Sequence, residues 1–198
     1  MPFPHYYLNN NILKITNIYM ACSQTLNGIT LDCASSIGGI KEVYITNYGD
    51  YTAELDPVSG MITGLTNVNE STTAKFKKYE FRKQTGSMTS TLNVDEVAGI
   101  NYVSTELSLV FTKMETNKRL EISALAIGQL AVIVKDGNNK YWYLGYNDYV
   151  SATAGSGNTG TAKGDSNNYS ITLKDESDTF PYEVQESVVL ANILDTEV

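Results

Sequence analysis

The chain has 198 residues, 42% of them apolar, a formal charge of −8 and a single histidine, His5. A chain this long buries roughly 70% of its unfolded surface and needs no disulfide or metal staple, so one domain with its own core is expected. Its acidity argues against gripping nucleic acid by the phosphates, which takes a basic patch, but leaves room for a surface past which nucleic acid slides.

Two cysteines, Cys22 and Cys33, and one histidine fall short of a zinc ligand set. The cysteines are read as free, partly buried thiols, with a disulfide between them the open alternative. The longest apolar runs are far too short to span a membrane. Residues 1–20 lack the charged start and apolar centre of a signal peptide, so use without crossing a membrane is expected.

Residues 1–19 are rich in Phe, Tyr, Asn, Ile and Lys and differ in composition from the rest of the chain. They are read as an extension upstream of a true start at Met20 or, alternatively, as a flexible arm. Residues 20–198 then form a single β domain. Ile40–Thr46 is the first clear strand. Residues 47–73 are turn-rich, interrupted by an apolar run from Met61 to Leu65, and read as a long functional or interfacial connection. From Lys75 to Lys83, five basic residues interleave with Phe76, Tyr79 and Phe81. That pattern fits a solvated strand face with its aromatic residues inward, or a basic stripe paired with an acidic neighbour.

The clearest β pattern lies between Ala74 and Thr112. Met88, Ser90, Leu92 and Val94 alternate with Thr89, Thr91, Asn93 and Asp95. Beyond a turn at Asp95–Gly99, Val103, Thr105, Leu107, Leu109 and Phe111 alternate with Ser104, Glu106 and Ser108. Period two gives this ribbon one apolar and one polar face. No Lys or Arg occurs from Gln84 to Thr112, whereas soluble surfaces ordinarily mix both signs.

Thr112 and Glu115 have capping-box spacing, predicting a helix over about 113–127 with Leu120, Ala124 and Ile127 on one side. Gly128 is placed to end it in a left-handed conformation. Leu130–Val134, the turn residues Asp136–Asn139 and Lys140–Gly145 then form the hairpin around which the chain is organised. A Gly/Ser/Thr/Asn loop leads to a strand at Tyr169–Leu173, and Ser187–Leu194 reads as the last strand. The predicted fold is mainly β: an antiparallel β-sandwich or barrel with one flanking α-helix.

No motif carries chemistry. Gly155–Thr161 lacks the lysine of a phosphate loop. Asp165–Glu176 has Tyr169 and Ser170 where a calcium loop needs a ligand and a glycine. With no nucleophile–base pair, no enzyme activity, cofactor or metal is expected. Tyr141, Trp142, Tyr143, Tyr146 and Tyr149 could stack on sugars, or fill a core or an interface.

Several stretches, taken in order, resemble one family. Met20-Ala21-Cys22 through Asp32-Cys33, and Ile37-Gly38-Gly39-Ile40-Lys41 to Tyr44-Ile45, resemble the opening of small tail proteins from phages and prophages of Bacteroides-type bacteria. Lys77–Ser87, Phe111–Glu115 to Lys118-Arg119, Lys140–Gly145, and Gly160-Thr161-Ala162 with Gly164-Asp165 continue the likeness. The resemblance implies a tail-tube-like virion protein that self-assembles in the bacterial host cytoplasm into hexameric rings. Stacked rings would form the conduit for DNA ejection, with DNA passing through and not specifically bound. Thr89, Thr91, Asn93, Asp95, Ser104, Glu106 and Ser108 would then line the lumen. The partners would be further copies and other phage tail proteins. The alternatives are a carbohydrate- or receptor-binding β-sandwich module, built on the Tyr/Trp cluster, and a tail terminator or hub.

Overall fold

The computed structural model describes residues 28–31, 33–68 and 75–194. The expectations for residues 1–19 and for Cys22 concern positions outside the described residues. The chain divides into two compact units, Met1–Ala34 and Ser35–Val198. In the first, the described residues are irregular and exposed. Cys33 carries a free and exposed thiol, not the partly buried one expected.

The second unit runs β1 (Ile40–Asn47), β2 (Tyr51–Leu55), β3 (Ile62–Asn67), β4 (Phe76–Tyr79), β5 (Gly86–Asp95) and β6 (Ile100–Thr112). After α1 (Thr116–Ile127) come β7 (Leu130–Asp136), β8 (Tyr141–Leu144), β9 (Ser151–Asn158) and β10 (Asn168–Ser177). It ends with β11 (Tyr182–Val184), α2 (Glu186–Asn192) and β12 (Ile193–Leu194). An eight-stranded sheet has the order β12-β4-β1-β7-β8-β11-β3-β2, and a four-stranded one the order β5-β6-β10-β9. Pairing is antiparallel except for the brief β11–β3 and β12–β4 contacts. The fold is thus mainly β, a sandwich with a flanking helix, and the described strands close no barrel.

Side-chain alternation explains the layering. On one face of the large sheet Val43, Ile45, Val132, Val134 and Leu144 meet Leu107, Leu109, Ile171 and Leu173 of the small sheet. On the other, Tyr44, Ile133, Tyr141 and Tyr143 join Phe76, Ile62, Val184 and the α2 residue Val189 in a second core. A central strand buried on both faces has no polar side to show. This is why Leu130–Val134 reads as an unbroken apolar run, each of its residues buried. The aromatic residues among the lysines divide likewise: Phe76 enters the second core, and Tyr79 and Phe81 pack on the first. Lys78 lies 3.7 Å from Glu42 and 3.6 Å from Glu80, so inward aromatic residues and ion pairing occur together.

Several local expectations are corrected. Residues 47–73 contain the β2–β3 hairpin and are not one long loop. The Gly/Ser/Thr stretch after Val150 forms strand β9, held by β10. Ser187–Leu194 is mostly helix α2, with only Ile193–Leu194 extended.

Helix α1 starts at Thr116 and not at 113, with Glu115 at its N-cap and no capping side chain. The capping box does not form; Asn167 instead satisfies the donors between Thr112 and Glu115, its carbonyl accepting from Lys113 N–H and its Oδ1 from Met114 N–H, both at 2.7 Å. Lys113 is left-handed, at φ 68, and Glu115 pairs with Lys113 and Lys118 instead. The buried side of α1 carries Leu125 and Ile122, while Leu120 and Ile127 are exposed. Gly128 is extended, at φ −71. A Cβ there would lie 3.0 Å from Leu130 Cδ2 and 3.2 Å from the Ala124 carbonyl, so close approach, not handedness, favours glycine.

Candidate assembly face and sheet edges

The β5–β6 hairpin forms as its alternation predicts, registered from Gly86↔Leu109 to Asp95↔Ile100. Val103, Thr105, Leu107, Leu109 and Phe111 are all buried. Residues directly opposite across a pair share a face. Thr89 lies opposite Glu106 and Thr91 opposite Ser104, with Ser108, Asn93 and Asp95 on the same side by parity. The residues singled out from sequence therefore stand together on the outward face of the small sheet.

Strand β10 widens this face. Thr172 lies opposite Ser108, Lys174 opposite Glu106 and Glu176 opposite Ser104. Hydroxyls bridge the strands, Ser108 to Thr172 at 3.3 Å and Ser156 to Ser170 at 2.8 Å. Sequence reasoning missed Lys174, the cation on this face, because it ended the strand at Leu173. Lys174 is 2.7 Å from Glu176 and opposite Glu106, and with Asp95 at the far tip of the hairpin the carboxylates of this face outnumber it. A polyanion would find hydroxyls and a weak negative field, with no unneutralised cation on these strands to hold it.

Among the described residues, neither margin of the sheet is paired with a further strand. Strands β5 and β9 each have a neighbour on one side only, which leaves rows of main-chain donors and acceptors facing outward. From Thr153 to Asn158 every residue of β9 is exposed. The hairpin also outruns its neighbours. β10 ends opposite Val103, so Ile100–Tyr102 and the turn project about 10 Å further at strand rise. Val94, Val97, Ile100 and Tyr102 on this overhang are exposed, as is Leu92, level with the last residue of β10.

On the inner side of the small sheet, Asp175 is buried, with 3% of its surface exposed. It lies opposite Thr105, itself buried and bonded through its hydroxyl to Ser90 at 2.8 Å. The Gly145 N–H donates to the carboxylate, and among the described residues Oδ1 has no partner. Gly145 adopts φ 94, and a Cβ there would sit 3.2 Å from the Leu130 carbonyl, so this donor position belongs to glycine. Burial, reinforced by the charges of Asp148 and Glu176, pushes the Asp175 carboxyl up to about 6. Burial likewise raises the Tyr143 hydroxyl, with Tyr48 and Asp175 adding to it.

The aromatic cluster does not form a flat platform. Tyr141 and Tyr143 are core residues, and Trp142 Nε1–H is tied to Asp136 at 3.0 Å. Tyr146 packs edge-on against Tyr182, and Tyr149 against Tyr48. Tyr48, Tyr51, Tyr143 and Tyr146 instead line an open cavity of about 390 Å³. Among the described residues no group of His, Cys, Asp and Glu could hold a metal ion. No described helix is long and apolar enough to cross a membrane.

Comparison with protein-family models, curated proteins and solved structures finds no match to this chain. The fold defines it by class alone: a mainly antiparallel β-sandwich whose smaller sheet, among the described residues, has no strand beyond β5 or β9.

Proposed function

We propose that this chain is a structural virion protein, a subunit of a phage tail tube. Copies pair laterally through the free edges of β5 and β9 into a closed ring, the hexamer that the family resemblance implies. The outward polar face of the small sheet lines the conduit for DNA. One observation carries this: the sheet with two unsatisfied edges is the same sheet whose outer face is hydroxyl-rich and short of cations. A neighbour's strand would satisfy the main-chain groups that a lone subunit exposes. Unlike edges meeting head to tail give a ring when the rotation between copies closes.

Negative-stain microscopy of the purified protein at high concentration tests this, with rings or tubes expected. Of two adjacent residues on an edge strand, one directs its N–H to the paired strand and the other to the open edge. Proline at Thr89 or at Ser90, whichever leaves the circular dichroism unchanged, should therefore abolish rings. Monomers that persist at every concentration refute the proposal. A single ring that never extends would make the protein a tail terminator or hub. The tyrosine-lined cavity favours the other reading, a carbohydrate- or receptor-binding module. Glycan binding by stable monomers, lost in Tyr146→Ala, would decide for it.

A further inference from the structure

We propose that the two ends of the small sheet are complementary docking surfaces for second copies of this chain. The acidic end, which carries the β5–β6 tip, seats on the basic end of the next copy along the strand direction. This rests on the tube proposal and specifies how one ring engages the next.

The charges of the small sheet are sorted by end. At the hairpin tip stand Asp95 and Glu96, and Asp178 follows the last residue of β10 beside Tyr102 and Glu176. Asp148 shares a pocket there with Glu176 and Lys174. Lys174 is the cation among them and is already paired with Glu176.

The opposite end is basic. Arg82 and Lys83 precede β5 in a turn whose Thr85 hydroxyl reaches the Val110 carbonyl at 3.4 Å, near the far end of β6. Lys113 follows β6, and Lys118 Nζ donates to the Thr112 carbonyl at 2.7 Å. Arg119 lies in the first turn of α1 and Lys163 in the β9–β10 connection. The carboxylates here are engaged locally: Glu115 holds Lys113 and Lys118, and Asp165 accepts from Thr161 and Ala162 N–H at 2.7 Å. Among the described residues no carboxylate pairs with Arg82, Lys83, Arg119 or Lys163.

Along β6 these ends are about 40 Å apart at strand rise. At about 0.1 M salt that is some four screening lengths, so within one subunit they scarcely attract each other. Between two copies in line, opposite signs would meet directly. The apolar overhang supports the same contact. Val94 continues the core-facing side of the sheet beyond the end of β10, Leu92 lies level with the last residue of β10, and both are exposed. An apolar patch rimmed by one sign of charge marks an interaction surface, and the chain's own far end supplies the opposite sign.

The test uses the full chain in sedimentation velocity and negative-stain microscopy, across NaCl from about 0.05 to about 1 M, a range that shortens screening from beyond 10 Å to about 3 Å. Stacks should separate into single rings as salt rises, with the concentration needed for stacking increasing about tenfold or more. Lateral edges, held by main-chain hydrogen bonds, should stay closed. Arg82→Glu with Arg119→Glu, and separately Glu96→Lys with Asp178→Lys, change exposed residues and should each give rings that do not stack. Mixing the two variants should restore stacks, because each then presents the sign its partner lacks. Stacks indifferent to salt and to both variants overturn the inference, as does a mixture that stays unstacked. Rings that never stack overturn it alone, whereas a wild-type chain that never forms rings overturns the tube proposal as well.

Discussion

Asp175 offers the sharpest check on the interior of the fold. Replacing it with Asn keeps the shape and the acceptor for Gly145 N–H but removes the charge. The folded carboxyl titrates near 6, against 3.8 for an unburied one. Between those values the native state holds a proton that the unfolded chain has released. Stability therefore falls as pH rises through this window and is lowest above about 6. The displacement corresponds to about 3 kcal/mol.

Urea unfolding of wild type and Asp175→Asn, at protein concentrations too low for assembly, gives the measurement. At pH 4, close to the unfolded value of 3.8, the pH-linked difference should be small. By about pH 7.5 the variant should have gained about 3 kcal/mol relative to wild type. Any constant offset from the new amide donor, about 1–3 kcal/mol if unsatisfied, is independent of pH and drops out of the comparison. Parallel stability profiles for the two proteins would refute the claim that Asp175 is buried and ionised at neutral pH.

Other outcomes rest on particular contacts. Thr112→Ala should change stability by less than about 0.5 kcal/mol, since this threonine caps nothing, whereas a working N-cap is worth about 1 kcal/mol. Asn167→Ala removes the acceptor of Met114 N–H and should lower stability by about 1 kcal/mol in the same assay. Leu173→Ala empties a fully buried site and should lower stability by about 2–5 kcal/mol. Val94→Ser, on the exposed overhang, should leave monomer unfolding within about 0.5 kcal/mol of wild type while weakening ring stacking seen by microscopy.

Sequence patterning revealed most where side-chain period and burial coincide. The β5–β6 ribbon alternates cleanly because one of its faces packs on a core and the other meets solvent, and the β7–β8 hairpin announces itself through its turn residues. It failed where pairing overrode composition. Ser151–Asn158 has the makeup of a loop and is a strand only because β10 lies beside it, a tertiary effect that no local propensity carries. Tyr169–Leu173 was legible, but the strand runs on to Ser177. Asp175 sits at an inward position where an apolar residue was needed to continue the period, and so hid Lys174 and Glu176 from the assembly face. The helix start was lost for a similar reason. Asn167, more than fifty residues away, accepts from Lys113 and Met114 N–H where the spacing predicts a local capping box.

These failures share a location, and that bears on function. β9 is the margin of the small sheet and the loop around Asn167 adjoins it, and the chain's order there comes from contacts distant in sequence. A margin built this way has little packing of its own: most of β9 is exposed, and its side chains are small. Small side chains permit close approach of another backbone, and an exposed strand keeps its outward hydrogen-bonding groups unsatisfied. Selection for a stable monomer alone would cover such an edge or stud it with charge. β9 contains no charged residue, and the described chain lays no strand along it. The same small residues that concealed this strand in the sequence are what leave its edge able to accept a neighbour.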